Sequence, residues 1–192
     1  MTPPPRLRRP SRPGKRADTS VWQENLSSLL WAVAIALVIR TFIAAPFKIP
    51  SGSMRPTLME GDRILVNKFL FHFREPRCGD IIVFRYPGDL KRPFIKRVVG
   101  VGGDRVEIRE GHLWVNSHPV EEQTFQARRY LNQGPYGQEH QVIEVPGGQF
   151  YVLGDNSSSS HDSRFWGFVP RRLVIGRAMC IFWPPWRIRI LR

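Results

Sequence analysis

The sequence predicts a mainly β protein, with an N-terminal transmembrane helix followed by an antiparallel β-sheet core. Three observations predict it. A stretch apolar on all sides lies near the N-terminus, behind a tail rich in arginine and proline. From residue 62 onward, short β-branched and aromatic runs are separated by Gly-Asp, Glu-Gly and Pro-Pro breaks. No amphipathic helical period follows the apolar stretch. At 192 residues the chain has the length of one domain with a small insertion, enough to bury a core without disulfide or metal staples.

Residues 1–20 hold Arg6, Arg8, Arg9, Arg12, Lys15 and Arg16 against Asp18 alone, with Pro3, Pro4, Pro5, Pro10 and Pro13 among them. That composition builds no packed core and reads as a disordered basic cytoplasmic tail. The whole chain carries a formal charge of +13, which suits either nucleic acid or an anionic membrane surface. Residues 21–45 read as a transmembrane anchor. The window Leu26–Ala45 reaches the length of about twenty residues that a span needs, and its one charge, Arg40, stands near the end, where it can snorkel. The basic tail, Trp22 and Trp31 orient it with the N-terminus in the cytoplasm. Two other readings compete: a buried helix of a soluble domain, and a cleavable signal peptide ending at Ile43-Ala44-Ala45. Pro46 directly after that cut and Arg40 before it favour an uncleaved, single-pass anchor.

Strands are expected at Arg63–Lys68, Asp80–Tyr86 and Phe94–Val101. Arg105–Ile108 turns through Glu110-Gly111 into Leu113–Val115, a hairpin. Residues 121–141 are polar and read as a loop; strand character returns at Val142–Val145, Gln149–Leu153 and residues 173–183. Cys78 and Cys180 show no zinc spacing and are expected as free thiols, so neither a metal nor a cofactor is expected.

The chemistry gathers in three stretches. In Ile49–Leu58, Pro50 and Pro56 fix the backbone and Gly52 permits a tight bend, so Ser51 and Ser53 stand on a rigid loop. A serine held this way is a nucleophile if a base is within reach. Two bases are open on the residues alone. His161-Asp162 would make a Ser-His-Asp set, although adjacent residues point apart. Lys96 lies in Phe94–Val99, where alternation puts it on one strand face with Phe94 and Val98 while Arg97 points the other way; burial there would lower its pKa. The third stretch, Gly154–Pro170, is dense in hydrogen-bonding side chains. Asp155, Asn156, Asp162 and Arg164 suggest an ordered network with an Asp162–Arg164 ion pair, against the plainer reading of a serine linker.

These residues resemble the type I signal peptidases, the bacterial leader peptidase family. The likeness covers the anchor and nearly all that follows. It rests on four boxes in order: Pro50-Ser51-Gly52-Ser53-Met54-x-Pro56-Thr57-Leu58, the Gly61–Lys68 strand, Lys96-Arg97 through Gly103-Asp104, and Gly154-Asp155-Asn156 through Ser160-x-Asp162-Ser163-Arg164-x-Trp166-Gly167. The resemblance implies a β-rich catalytic core over 46–104 and 148–192, with a small β insertion over 105–147. It implies Ser53 as nucleophile, Lys96 as general base and Ser160 as the residue orienting the lysine amine. Ser51 and the Ser53 amide would form the oxyanion hole. Gly154, Asp155, Asp162 and Arg164 would support the site, and Ile49, Met54, Leu58, Phe94 and Ile95 would line shallow apolar pockets. Ser157 departs from the family, which often has arginine there.

The activity so implied is removal of signal peptides from exported preproteins after small residues (A-x-A) at the outer face of the plasma membrane. The partners would be those signal peptides and anionic lipid, without nucleic acid. A self-cleaving Ser-Lys repressor would need a DNA-binding helix-turn-helix, and none is visible. A non-enzymatic lipid- or nucleic-acid-binding module would explain the charge but not the boxes.

Overall fold

The structure is a computed structural model and describes residues 18–38 and 44–191. Helix α1 (Asp18–Val38) belongs to one compact unit and every strand to a second. The tail reading lies outside the described residues up to position 17, and Asp18-Thr19-Ser20 open α1 instead, being residue types that favour a helix start. Among the described residues no helix is long and apolar enough to cross a membrane. The anchor window runs on into residues 39–43, which lie outside the described residues, and its last two, Ala44 and Ala45, begin a strand. Pro46 gives the reason, since it pushes the residue before it into extended geometry.

Every strand pair described in the second unit is antiparallel. Its main sheet has eight strands. They are β1 (Ala44–Lys48), β2 (Arg63–Asn67), β3 (Ile81–Tyr86) and β4 (Asp89–Val101), then β9 (Gln149–Leu153), β10 (Val169–Pro170), β11 (Val174–Trp183) and β12 (Arg189–Ile190). The spatial order is β1-β2-β11-β3-β4-β9-β10, with β12 beside β11. A second sheet of four strands is built within 105–144: β5 (Arg105–Arg109), β6 (His112–Val115), β7 (His118–Pro119) and β8 (Ile143–Glu144), in the order β7-β6-β5-β8. The polar 121–141 stretch contains one short helix, α2 (Gln123–Gln126), and a third, α3 (Ser163–Trp166), follows β9.

The long strand β4 positions the site. It starts before the expected Phe94, because the chain hairpins back from β3 with Tyr86 opposite Asp89. Pro93 is tolerated there because β9 pairs with β4 only from Arg97 on. Farther along, Lys96 lies opposite Ile82 and Arg97 opposite Ile81 on one side and Leu153 on the other. β3 is apolar and buried on both faces, Ile81 and Val83 packing into one cluster, Ile82 and Phe84 into another. That is why its sequence is a continuous apolar run without alternation.

Candidate active site

Ser53 sits in a single 3-10 turn, Gly52–Met54, between the extended Ser51 and Arg55. Met54 and Leu58 hold the loop down as part of the core beneath it, and the Leu58 amide donates to Met54 O at 2.8 Å. Asn156 clamps it from the other side. Its amide donates to Ser53 O at 3.0 Å and its side chain to Gly52 O at 3.1 Å.

Lys96 extends from β4 to this loop. Its Nζ donates to Ser53 Oγ at 2.7 Å and to Ile95 O at 3.1 Å. Lys96 is 4% exposed and Ser53 6%. The Phe94 ring lies 5.4 Å from the amine. Burial lowers the Lys96 pKa to about 8; Asp162 and Asp155 pull the other way, while Arg164 adds to the depression. A lysine so placed is a base that is partly neutral near neutral pH.

Asp162 and Arg164 pair as expected. Arg164 Nε and Nη2 donate to the two carboxylate oxygens at 2.8 and 2.9 Å, and the Gly154 amide also donates to Asp162, at 3.0 Å. With its carboxylate thus committed, Asp162 forms no relay with His161. The exposed His161 instead stacks on Phe165 and lies 3.4 Å from Tyr86 Oη. Asp155 receives Arg97 Nε and Nη2, each at 2.9 Å. Gly154 leaves no room for a side chain: a Cβ there would collide with Ser160 Oγ and stand 2.5 Å from Ser53 O.

Two expectations meet a different geometry. Ser160 Oγ is buried and makes no hydrogen bond, so it does not hold the Lys96 amine in this conformation. Of the residues expected at the substrate pockets, Met54 and Leu58 are wholly buried and Ile49 is 2% exposed, packed into the core under the loop. Phe94 and Ile95 are half-buried and do present surface. Ser51 is exposed and makes no capping hydrogen bond.

Sequence reasoning missed three groups here. Ser157, where the family often has arginine, accepts from Arg164 Nη1 at 2.6 Å and from the Leu131 amide at 2.8 Å. Thr57 donates to Asp155 Oδ2. Arg128 Nη2 donates to Thr57 Oγ1 at 2.7 Å and stands 3.1 Å from Asp155 Oδ2. The Pro-Thr-Leu box contained a signal for Thr57; nothing in the polar stretch around Arg128 marked it out. Cys78 and Cys180 are free thiols, and burial pushes that of Cys78 up to about 12.

The model of the family described as Signal peptidase, peptidase S26, matches residues 22–183. The chain is 41% identical over 191 residues to a signal peptidase I of Leptolyngbya laminosa, covering 96% of this chain and 89% of that one. It is 37% identical over 190 residues to a probable signal peptidase I-2 of Synechocystis sp., covering 96% and 84%. A crystal structure of a signal peptidase I from Enterococcus faecalis V583 aligns at 30% identity with a TM-score of 0.46, over 54% of this chain and 97% of that one.

Proposed function

The chain belongs to the peptidase S26 family of signal peptidases, and from that premise we propose how it works: as a membrane-anchored serine endopeptidase with a Ser53–Lys96 dyad. It removes signal peptides from exported preproteins after small residues. The observation that carries this reading is the 2.7 Å hydrogen bond between Lys96 Nζ and Ser53 Oγ, closed off from water.

With a pKa of about 8, about a tenth of the Lys96 amines are neutral at pH 7. Neutral Lys96 takes the Ser53 proton as Oγ attacks the scissile carbonyl carbon. The Ser53 amide and the Ser51 hydroxyl receive the developing oxyanion. The C–N bond then breaks, the Lys96 ammonium hands its proton to the leaving amine, and the acyl group remains on Ser53. Lys96 next takes a proton from water, whose oxygen attacks the ester, releasing the signal peptide as a carboxylate and restoring Ser53. Ser160 orients the amine once a substrate is bound; its partnerless buried hydroxyl, packed on Gly154 beside Ser53 O, supports that role. Phe94 and Ile95 offer shallow apolar surface for alanine-sized side chains. The apolar N-terminal segment crosses the plasma membrane once, with the tail in the cytoplasm, the catalytic unit on the outer face and anionic lipid beside it.

The test is cleavage of a preprotein bearing an Ala-x-Ala site by the full chain in liposomes. Ser53→Ala and Lys96→Ala should each lose about 10³-fold or more in kcat/KM, and His161→Ala should cleave as the wild type does. A Ser53→Ala protein that still cleaves, or loss with His161→Ala but not Lys96→Ala, would overturn the dyad.

A further inference from the structure

We infer that Arg128, supplied by the 105–147 segment, is a positioning residue for the Ser53–Lys96 pair, tying the serine loop through Thr57 to the carboxylate of Asp155. The inference rests on the dyad reading above and asks how the pair is kept in register.

The serine loop is tied to the 154–160 stretch at Gly52 and Ser53 through Asn156, and at Thr57 through Asp155. Of these ties, the one at Thr57 includes a group from the second sheet's segment, Arg128. Arg128 Nη2, Thr57 Oγ1 and Asp155 Oδ2 form a closed triangle, in which the guanidinium donates at 2.7 Å to the hydroxyl and stands 3.1 Å from the carboxylate. The hydroxyl donates on to the same carboxylate oxygen. Asp155 is also fixed by the fork of Arg97, the residue next to Lys96. Thr57, Asp155, Arg97 and Arg128 thus join the loop bearing the nucleophile to the strand bearing the base.

The segment is built to deliver this side chain. Phe125 of α2 is buried in the core cluster between the sheets, and its ring lies 5.9 Å from the Arg97 guanidinium. The Arg128 amide donates to Phe125 O at 3.1 Å, and the Tyr130 amide to Gly111 O at 2.9 Å, so the chain is pinned on both sides of Arg128. The Arg128 side chain is 11% exposed, and its Nε and Nη1 are buried without partners. Arginine seldom accepts such a position, since each unpaired buried N–H loses its water. The neighbouring Arg129 lies at the surface on Glu110 O. Arg128 stays inside because Thr57 and Asp155 hold its remaining nitrogen.

The arrangement also bears on the proton at Lys96. The charged groups acting on that amine are Asp162 and Asp155, which favour the ammonium, and Arg164, which opposes it. Arg97 and Arg128 place two positive charges on Asp155 and offset its attraction. Removing the charge of Arg128 should leave Lys96 more readily protonated, and removing the Thr57 hydroxyl should loosen the loop without changing charge.

The experiment is the pH profile of kcat/KM, with folded fraction measured alongside, for the full-length Arg128→Gln, Arg128→Lys and Thr57→Val proteins. Arg128→Gln should shift the ascending limb to higher pH by about half a unit. It should also lower the kcat/KM plateau by about tenfold or more, the effect of misplacing a reacting group. Arg128→Lys should restore the limb but not the whole plateau, because an ammonium keeps the charge without the fork. Thr57→Val should lower the plateau and leave the limb in place. If all three variants are folded and keep the wild-type limb and plateau, the inference is overturned. It is overturned equally if Lys and Gln behave alike and activity merely follows folded fraction. Should Arg128→Gln not fold, Arg128→Lys and Thr57→Val decide the matter by the same two readouts. Ser53→Ala run in parallel separates the two levels: cleavage by it sinks the dyad, whereas its silence beside unperturbed Arg128 variants sinks only this inference.

Discussion

Lys96 is 4% exposed, and its pKa falls from 10.5 to about 8 because burial disfavours its ammonium. A depression of that size costs the folded protein about 3 kcal/mol at neutral pH. The sign follows from proton counting. Between about 8 and 10.5 the unfolded chain binds more protons at this residue than the folded one, so the stability contributed by Lys96 rises with pH across that window. Below about 8 the cost is present in full. Two outcomes are expected. The kcat/KM profile should climb through an apparent pKa near 8, and a limb near 6.5 would point to a histidine instead. The stability advantage of Lys96→Met over the wild type, from urea melts, should be largest below pH 8 and shrink towards pH 10.5. At this scale the sequence was informative where the signal is local. Ser53 on its Pro-Gly loop and the Asp162–Arg164 pair could be read from the residues, while Lys96 stood there as one of two candidate bases and was singled out only by the family resemblance. Arg128 did not, because the contact that gives it meaning joins positions 57, 128 and 155, which share no period or spacing.

At the scale of elements, the longer strands were legible because β-branched runs and Gly-Asp breaks mark them, whereas β1 and the two-residue strands β7, β10 and β12 carry no such run; the hairpin at Glu110-Gly111 falls where expected, with both residues at positive φ. The early start of β4 was not, since Pro93 reads as a strand breaker until β9 is seen to pair only beyond it. The serine loop gave the larger surprise. Its apolar residues were expected to face the substrate, but a loop has no alternation to say which way a side chain points, and tertiary packing turned Ile49, Met54 and Leu58 inward. The consequence is measurable. Leu58→Ala should cost about 2–5 kcal/mol of stability, as a truncated core leucine does, with the cleavage-site preference unchanged. If Leu58→Ala instead keeps full stability and accepts larger residues before the cut, Leu58 lines the pocket after all.

For the whole molecule, the fact to be explained is that one chain carries both an apolar helix and a well-packed β unit. Leu26, Leu29, Leu30, Trp31, Val33, Ile35 and Leu37 are all exposed on α1. At about 100° per residue, Trp31 and Ile35 face away from Leu26, Leu30 and Leu37. A helix apolar on opposite sides has no polar face to give to water, so one flank laid on a protein surface would still leave the other bare. A bilayer would cover both at once, which is the physical argument behind the anchor proposed above. Aspartate is the sharpest probe, because each one at the centre of a span costs about 2.5–3.5 kcal/mol. The double variant Val33→Asp, Leu37→Asp should therefore move the full chain from the membrane pellet to the supernatant after alkaline carbonate washing, while the wild type stays in the pellet. Cleavage of a short soluble peptide should persist, because α1 and the β unit are separate compact units. Cleavage of a preprotein held in the same vesicles should fall, since enzyme and scissile bond no longer share a surface. A wild-type chain that washes off with carbonate would remove the anchor from this account and leave the dyad standing.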